Sequence, residues 1–429
     1  MSTSRQSFQY TADFVQKALN WAATHPYCSY FTSNGIPYPE GAFPELLAAG
    51  TNIALNSEEA PFDKLQKLHE EQKSWLIGYF TYDLKNEIHR LTSSNPLTVS
   101  FPSCTFYQPD YLLFFRKEEV EILCYKGKPE EVMAAIKATP LPEPAGIPHI
   151  TLRSHMLREE YIAKVKAVKE HILQGDCYEL NLCQEFSASE VELNPLSLFL
   201  ALNRLSPAPF ASFQKFSNQY LICASPERFL KKEGDVLTSQ PIKGTIRRGK
   251  TPGEDEALKH QLLNDEKERA ENMMIVDLVR NDLAISSLPG SVKVKEMFGI
   301  YSFRHVHQMI STISSTLRPE LPFTEGIRKA FPMGSMTGAP KKKVMELIDH
   351  YENSSRGMYS GAVGFITPEG NFDFNVVIRS LLYDAAERRI SFQAGGAITF
   401  DSDPEKEYEE CLLKARALMQ VLGQSSAAL

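Results

Sequence analysis

KERAENMMIVDLVRNDL, residues 267–283, has the apolar spacing of a helix, but two carboxylates sit on its inward face. Glu268 and Glu271 stand three apart, so they share a face, and that face continues through Ile275 and Leu278. The same Glu-x-x-Glu spacing returns as Glu407 and Glu410 in EKEYEEC, residues 405–411, ahead of Lys414, Ala417, Leu418 and Val421. Carboxylates that extend an apolar stripe are unusual for solvated charge. Without a cation they repel and raise one another's pKa, and a hard divalent ion bound through oxygen, most naturally Mg²⁺, relieves that repulsion. For either pair alone the competing reading is ordinary surface charge on a helix N-terminal half, where the dipole favours acids.

Outward from this stretch, helical spacing spans 158–173, 252–281 with a break near Asn264, 340–351 and 404–422. Strand-type runs fall at 75–82, 111–115, 220–223, 292–297, 362–366, 376–382 and 390–393. Helices and strands do not alternate regularly, which predicts an α+β fold and not a doubly wound parallel sheet. The proline-dense TPLPEPAGIP, 139–148, reads as a linker between an N-terminal region, 1–150, and a longer region, 157–422, with a short tail at 423–429.

The 429 residues are 43% apolar, enough for a substantial core, and the net charge of −7 gives no support to nucleic-acid binding. No apolar run reaches membrane-spanning length, and the opening MSTSRQSFQY lacks the pattern of a signal peptide, so a cytoplasmic protein is expected. The seven cysteines contain no CxxC pair, which argues against a disulfide framework or a zinc site.

Several shorter stretches carry chemistry. In Pro241-Ile242-Lys243-Gly244-Thr245 an amine stands between two backbone-bending residues. A nucleophilic lysine needs its pKa depressed by desolvation or nearby cations, which Arg247 and Arg248 could supply; the plain alternative is a solvated turn. Gly334-Ser335-Met336-Thr337-Gly338-Ala339-Pro340 leads into a helix whose exposed N–H groups would attract an anion, with Pro340 in the first turn and Thr337 as a hydroxyl donor. Ala394-Gly395-Gly396 follows a strand expected to end at Gln393 and would let backbone N–H groups reach a carboxylate, unless it is a plain turn. Arg379, inside the strand-like VVIRSLL, must be ion-paired or aimed into a cavity, where it would clamp a small acid. Glu227 in SPERF, if sheltered, would stay protonated and serve as a general acid; an ion pair with Arg228 is the ordinary alternative.

SPERF (225–229), PIKGT (241–245), KERAENMMIVDLVRNDL (267–283), GSVKV (290–294), FPMGSMTGAPKKKVMELID (331–349), YSGAVGFI (359–366), IRSLL (378–382) and the stretch from AGG to DSDPEKEYEECLLKARAL (394–418) together resemble the chorismate-binding enzymes, in the family's order. That family includes component I of anthranilate and aminodeoxychorismate synthases, and isochorismate and salicylate synthases; GYFTYDL, 78–84, also resembles the component I proteins. The resemblance implies two large, mainly antiparallel sheets packed as a sandwich with helices outside, and Mg²⁺-dependent chemistry on chorismate. Lys243 matches the aminodeoxychorismate branch, where alanine would mark anthranilate synthase. By resemblance, Lys243 attacks C2 of chorismate, Glu227 protonates the departing C4 hydroxyl, and ammonia from a glutamine amidotransferase subunit adds at C4 and expels the lysine. Glu268, Glu271, Glu407 and Glu410 match the Mg²⁺ positions; Tyr359, Arg379, Gly395 and Lys414 match a carboxylate grip; Thr337 matches a position near the ring.

Two residues depart from the pattern. Glu179, in GDCYELNL, replaces a common glutamine and could attract or orient ammonium; Gln308, in HVHQMIST, replaces a common histidine. Water-using relatives carry lysine at the first of these positions, so Glu179 speaks against them, and the lack of a Leu-Leu-Glu-Ser segment and the presence of Lys243 speak against anthranilate synthase. A catalytically silent binding module would not require Glu227, Lys243, the four glutamates and Arg379 together. No Gly-x-Cys-x-Gly elbow of a glutaminase is present.

Overall fold

A computed structural model describes residues 3–51, 53–142, 146 and 149–424; half of the 139–148 linker and most of the 423–429 tail lie outside the described residues. The described strands form a 12-stranded and a 10-stranded sheet, and their pairings are antiparallel. This is the expected α+β sandwich.

Aromatic and β-branched residues at alternate strand positions glue the sheets face to face. Phe31 of strand Tyr27–Thr32 meets Phe365 of strand Ala362–Ile366 edge-on with ring centroids 5.6 Å apart. Nearby, the Tyr107 hydroxyl donates across the same interface to Ser29 Oγ at 2.8 Å. Phe31 is fully buried, which contributes roughly 1.5–3 kcal/mol of transfer free energy. Helices cover both outer faces. Phe14–Ala23, Pro129–Ala138, Arg158–Leu173, Pro195–Leu205, Lys341–Tyr351 and Pro404–Val421 pack on the larger sheet, and Pro61–Gln72, Glu266–Ser286 and Phe323–Ala330 on the smaller one.

Both sheets run through the proline-dense segment's two sides. Strand Tyr27–Thr32 pairs with Phe210–Phe216, and Leu76–Phe80 with Ala362–Ile366, so the N-terminal strands complete ladders begun by the C-terminal ones.

Three local expectations change. VVIRSLL is not one strand: Phe372–Val376 belongs to the smaller sheet and Ser380–Asp384 to the larger, and the chain crosses between them at Val377–Arg379. Arg379 turns that corner with φ of +53°, a left-handed conformation that a continuous strand cannot contain. The strand expected to end at Gln393 runs on, Arg389–Ile398, so Gly395 and Gly396 lie inside it. Gly395 sits opposite Cys183, and a β-carbon there would meet the Leu182 carbonyl oxygen at 2.0 Å, so only glycine permits this pairing. Finally, Pro340 caps helix Lys341–Tyr351 from just outside its first turn, and Gly338–Ala339 ahead of it forms an edge pairing with Leu180 and Glu179.

Candidate active site

One strand face supplies the floor of the site. In strand Glu179–Ala188, Glu179, Asn181 and Cys183 alternate with the core residues Leu180 and Leu182, so the three polar side chains share a side. Each holds a different wall. Glu179 Oε1 accepts from Lys243 Nζ at 2.5 Å, Asn181 Nδ2 donates to the Ser335 carbonyl at 3.1 Å, and Cys183 Sγ lies 3.4 Å from the Tyr359 hydroxyl. Behind them the buried pair Glu352 and Arg356 fixes the strand: Cys183 N–H donates to Glu352 Oε1 at 2.9 Å, while Arg356 donates to the Asn181 carbonyl at 2.8 Å and the Met336 carbonyl at 2.6 Å.

Lys243 is not a turn residue. It lies in strand Ile242–Arg247, paired with Val306–Thr316, and is 9% exposed. Gly244 beside it has φ of +90°, and a β-carbon there would come within 3.2 Å of Glu268 Oε2, so the glycine lets strand and helix approach. Gln308, on the facing strand, stands opposite Thr245.

The expected cations are absent: Arg247 pairs with Glu254 at 2.6 Å and Arg248 with Asp255 at 2.7 Å. The neighbours of Lys243 are acids. Burial pulls its proton affinity down, but Glu179, Glu271 and Glu227 outweigh that, so the ammonium holds its proton more firmly than a free lysine. The resting amine is therefore charged.

Glu227 follows strand Gln219–Ser225 and is 4% exposed. Arg228 does not neutralise it, because its guanidinium is taken bidentately by Asp373 at 2.9 Å on both arms. Burial instead pushes the Glu227 carboxyl up to about 7, against the pull of the Ser335 hydroxyl, which donates to Oε1 at 2.6 Å, and of Lys243. Such a group carries a transferable proton at neutral pH. Thr337 is buried with its hydroxyl turned to the Met333 carbonyl at 3.2 Å, so its backbone, which accepts from Asn181 N–H at 2.8 Å, shapes the site.

On the far side, Lys414 Nζ donates to the Gly395 carbonyl at 3.0 Å and pairs with Glu410 at 2.7 Å. Arg379 has no ion-pair partner among the described residues, and burial weakens its hold on its proton, so its guanidinium favours an incoming anion.

The four helix glutamates converge. Asp265 caps helix Glu266–Ser286 by accepting from Glu268 N–H at 3.0 Å, and Asp403 caps Pro404–Val421, which fixes the rotation of both carboxylate faces. A β-carbon at Gly396 would enter the space between Glu407 Oε2, Lys414 Nζ and Glu410 Oε1, at 3.4, 3.5 and 3.6 Å. Burial pushes Glu271 up to about 7 and raises Glu268 and Glu407, whereas Lys414 lowers Glu410. Among the described residues no three acidic, histidine or cysteine side chains yet stand in ligating arrangement. The all-oxygen donor set still fits a hard divalent ion in kind.

A family model described as chorismate binding enzyme matches residues 32–420. The chain belongs to the chorismate-binding enzyme family. Aminodeoxychorismate synthase component 1 of Klebsiella aerogenes is 35% identical over 81% of this chain and 76% of its own length, and anthranilate synthase component 1 1 of Haloarcula marismortui is 33% identical over the same shares. A protein of Oryza sativa subsp. japonica, described as probable aminodeoxychorismate synthase, chloroplastic, is 46% identical over 63% of this chain, which spans 30% of the rice protein. Among solved structures, anthranilate synthase component I from Streptococcus pneumoniae aligns with a TM-score of 0.75 at 25% identity, covering 97% of this chain and 92% of that one. The menaquinone-specific isochorismate synthase from Escherichia coli shares the fold with a TM-score of 0.77 at 17% identity, covering 99% and 95%.

Within the family frame, Ser335, Asn181, Cys183 and Lys267 are site residues that motif reading passes over. The period-two alternation of Glu179, Asn181 and Cys183 with leucines was a usable signal. Ser335 and Lys267 had none, since their partners are distant in sequence.

Proposed function

We propose that the chain is component I of an aminodeoxychorismate synthase, converting chorismate and ammonia to 4-amino-4-deoxychorismate and water for p-aminobenzoate and folate supply. The observation that carries this is Lys243, an amine built into the buried site where Glu179 can receive its proton at 2.5 Å. In this reading Glu179 takes that proton and the amine attacks C2. Both ring double bonds shift, the C4–O bond breaks, and Glu227 protonates the departing hydroxyl. Ammonia then adds at C4, the double bonds shift back as the C2–N bond breaks, the new ammonium returns a proton to Glu227, and Glu179 returns one to Lys243. One difficult displacement becomes two easier ones.

Arg379, with Tyr359, Lys414 and the Gly395 backbone, would hold the pyruvyl carboxylate. When bound by Glu268, Glu271, Glu407 and Glu410, Mg²⁺ would hold the ring carboxylate and stabilise charge on it. A glutamine amidotransferase subunit would supply ammonia, in keeping with the component 1 designation of the Klebsiella relative. A cytoplasmic location belongs to the same proposal. It is supported by seven free, buried cysteines. No helix among the described residues is long and apolar enough to cross a membrane.

Incubation with chorismate, Mg²⁺ and ammonium, followed by a lyase, should yield p-aminobenzoate; anthranilate as the main product would establish the second reading, which the Haloarcula likeness favours. Lys243→Ala should abolish aminodeoxychorismate formation while chorismate still binds. Without ammonia, mass spectrometry should find the peptide containing Lys243 heavier by chorismate less water. Undiminished turnover of the alanine variant would remove the lysine from catalysis.

A further inference from the structure

Lys267 has no part in the mechanism above, yet its ammonium stands between the two carboxylate helices. It lies on helix Glu266–Ser286, with Nζ 3.7 Å from Glu271 Oε1 on the same helix and 3.7 Å from Glu407 Oε1 on helix Pro404–Val421. Neither distance is that of a hydrogen bond. The ammonium is seated between two acids without being committed to either, unlike Lys414, which is held by Glu410 at 2.7 Å, or Lys243, held by Glu179 at 2.5 Å. The acids differ from the base in freedom: the Glu407 and Glu271 side chains are 4% and 11% exposed, whereas the Lys267 side chain is 44% exposed. A four-carbon stem with that much solvent access can swing its charge outward; the glutamates cannot follow it.

Resting on the reading of Glu268, Glu271, Glu407 and Glu410 as a Mg²⁺ site, we propose that Lys267 is a resident placeholder cation, which joins the two carboxylate helices in the metal-free enzyme and is displaced when Mg²⁺ binds. The physical logic is charge replacement. The carboxylates of the two helices that Lys267 bridges would repel in the metal-free state, and a single positive charge at the point between Glu271 and Glu407 offsets that repulsion. A divalent ion with direct oxygen bonds supplies more charge at the same place, so ammonium and metal compete. The residue therefore positions the ligands for the metal and at the same time weakens metal affinity, because its contacts must be broken first. It also accounts for four convergent glutamates among which no three stand in ligating arrangement.

The test uses the full chain, without substrate, and the variants Lys267→Met, which removes the charge, and Lys267→Arg, which keeps it. Mg²⁺ binding is measured by calorimetry, and thermal unfolding is followed in chelator and in saturating Mg²⁺. Lys267→Met should bind Mg²⁺ about twofold to fivefold more tightly, the competition of a partly exposed ion pair being worth several tenths to about one kcal/mol. In chelator it should melt below the parent, and the deficit should close once Mg²⁺ saturates. Lys267→Arg should follow the parent in both. Unchanged or weaker binding by Lys267→Met, or a melting deficit that persists in Mg²⁺, would leave Lys267 an ordinary surface ion pair and overturn the proposal. Failure of the parent itself to bind Mg²⁺, with or without chorismate, would instead remove the metal-site reading on which the proposal stands, and the placeholder with it.

Discussion

Ser335→Ala should move the alkaline limb of the pH profile upward. The Ser335 hydroxyl donates to Glu227 Oε1 at 2.6 Å, and a donor to a carboxylate stabilises its ionised form. Its loss therefore raises a carboxyl that burial has already pushed up to about 7. A hydrogen bond to a charged group contributes about 1.5–3 kcal/mol, and one pH unit corresponds to about 1.36 kcal/mol, so the rise is on the order of one to two units. An acid catalyst works only while protonated, so turnover that fades above neutral pH in the parent should persist to about pH 8–9 in the variant. The assay is kcat against pH at saturating free ammonia, with Ser335→Thr as the control that keeps the hydroxyl. A limb that stays in place would show that Glu227 is not the titrating acid; a limb that moves down would mean that the serine accepts from a protonated carboxyl, reversing the polarity used here.

Two further outcomes follow from the same geometry and add to the tests of Lys243 and Lys267. Because the folded carboxyl of Glu227 lies at about 7 against an ordinary 4.5, its contribution to stability is present at low pH and is lost as pH rises through about 7. Glu227→Gln removes that loss, so relative to the parent it should gain up to roughly 3 kcal/mol between about pH 4.5 and 8 in denaturant unfolding, while losing activity; a pH-independent difference would contradict a buried, titrating Glu227. Arg379→Lys replaces a planar fork with a point charge at a carboxylate that stays in place throughout the reaction, so KM for chorismate should rise about tenfold to a hundredfold with kcat largely kept; an unchanged KM would place the carboxylate elsewhere.

Much of this site was legible from local pattern. Glu268 with Glu271, and Glu407 with Glu410, are paired by helical periodicity, and the helices that carry them form where the apolar spacing places them, down to the interruption near Asn264. Arg379 was legible as an oddity but not as a corner, because VVIRSLL satisfies strand propensity on both sides of a crossing that only the two-sheet packing demands. Gly395 looks like a loop glycine in sequence for a similar reason: a glycine inside a strand gives no sign there of which backbone it admits.

The amino-acid sequence by itself determined the α+β class, the helix faces, the ordered motifs that point to the family, and the residue types that the chemistry requires. Tertiary structure decided how those residues are charged. Lys243 faces Glu179 across 64 positions and not its neighbours Arg247 and Arg248, Glu227 escapes Arg228 because Asp373 claims the guanidinium, and Lys267 reaches Glu407 on another helix. Proton affinity follows from burial and from the nearest opposite charge, and in a folded chain the nearest charge is set by packing between distant segments, which no local periodicity records.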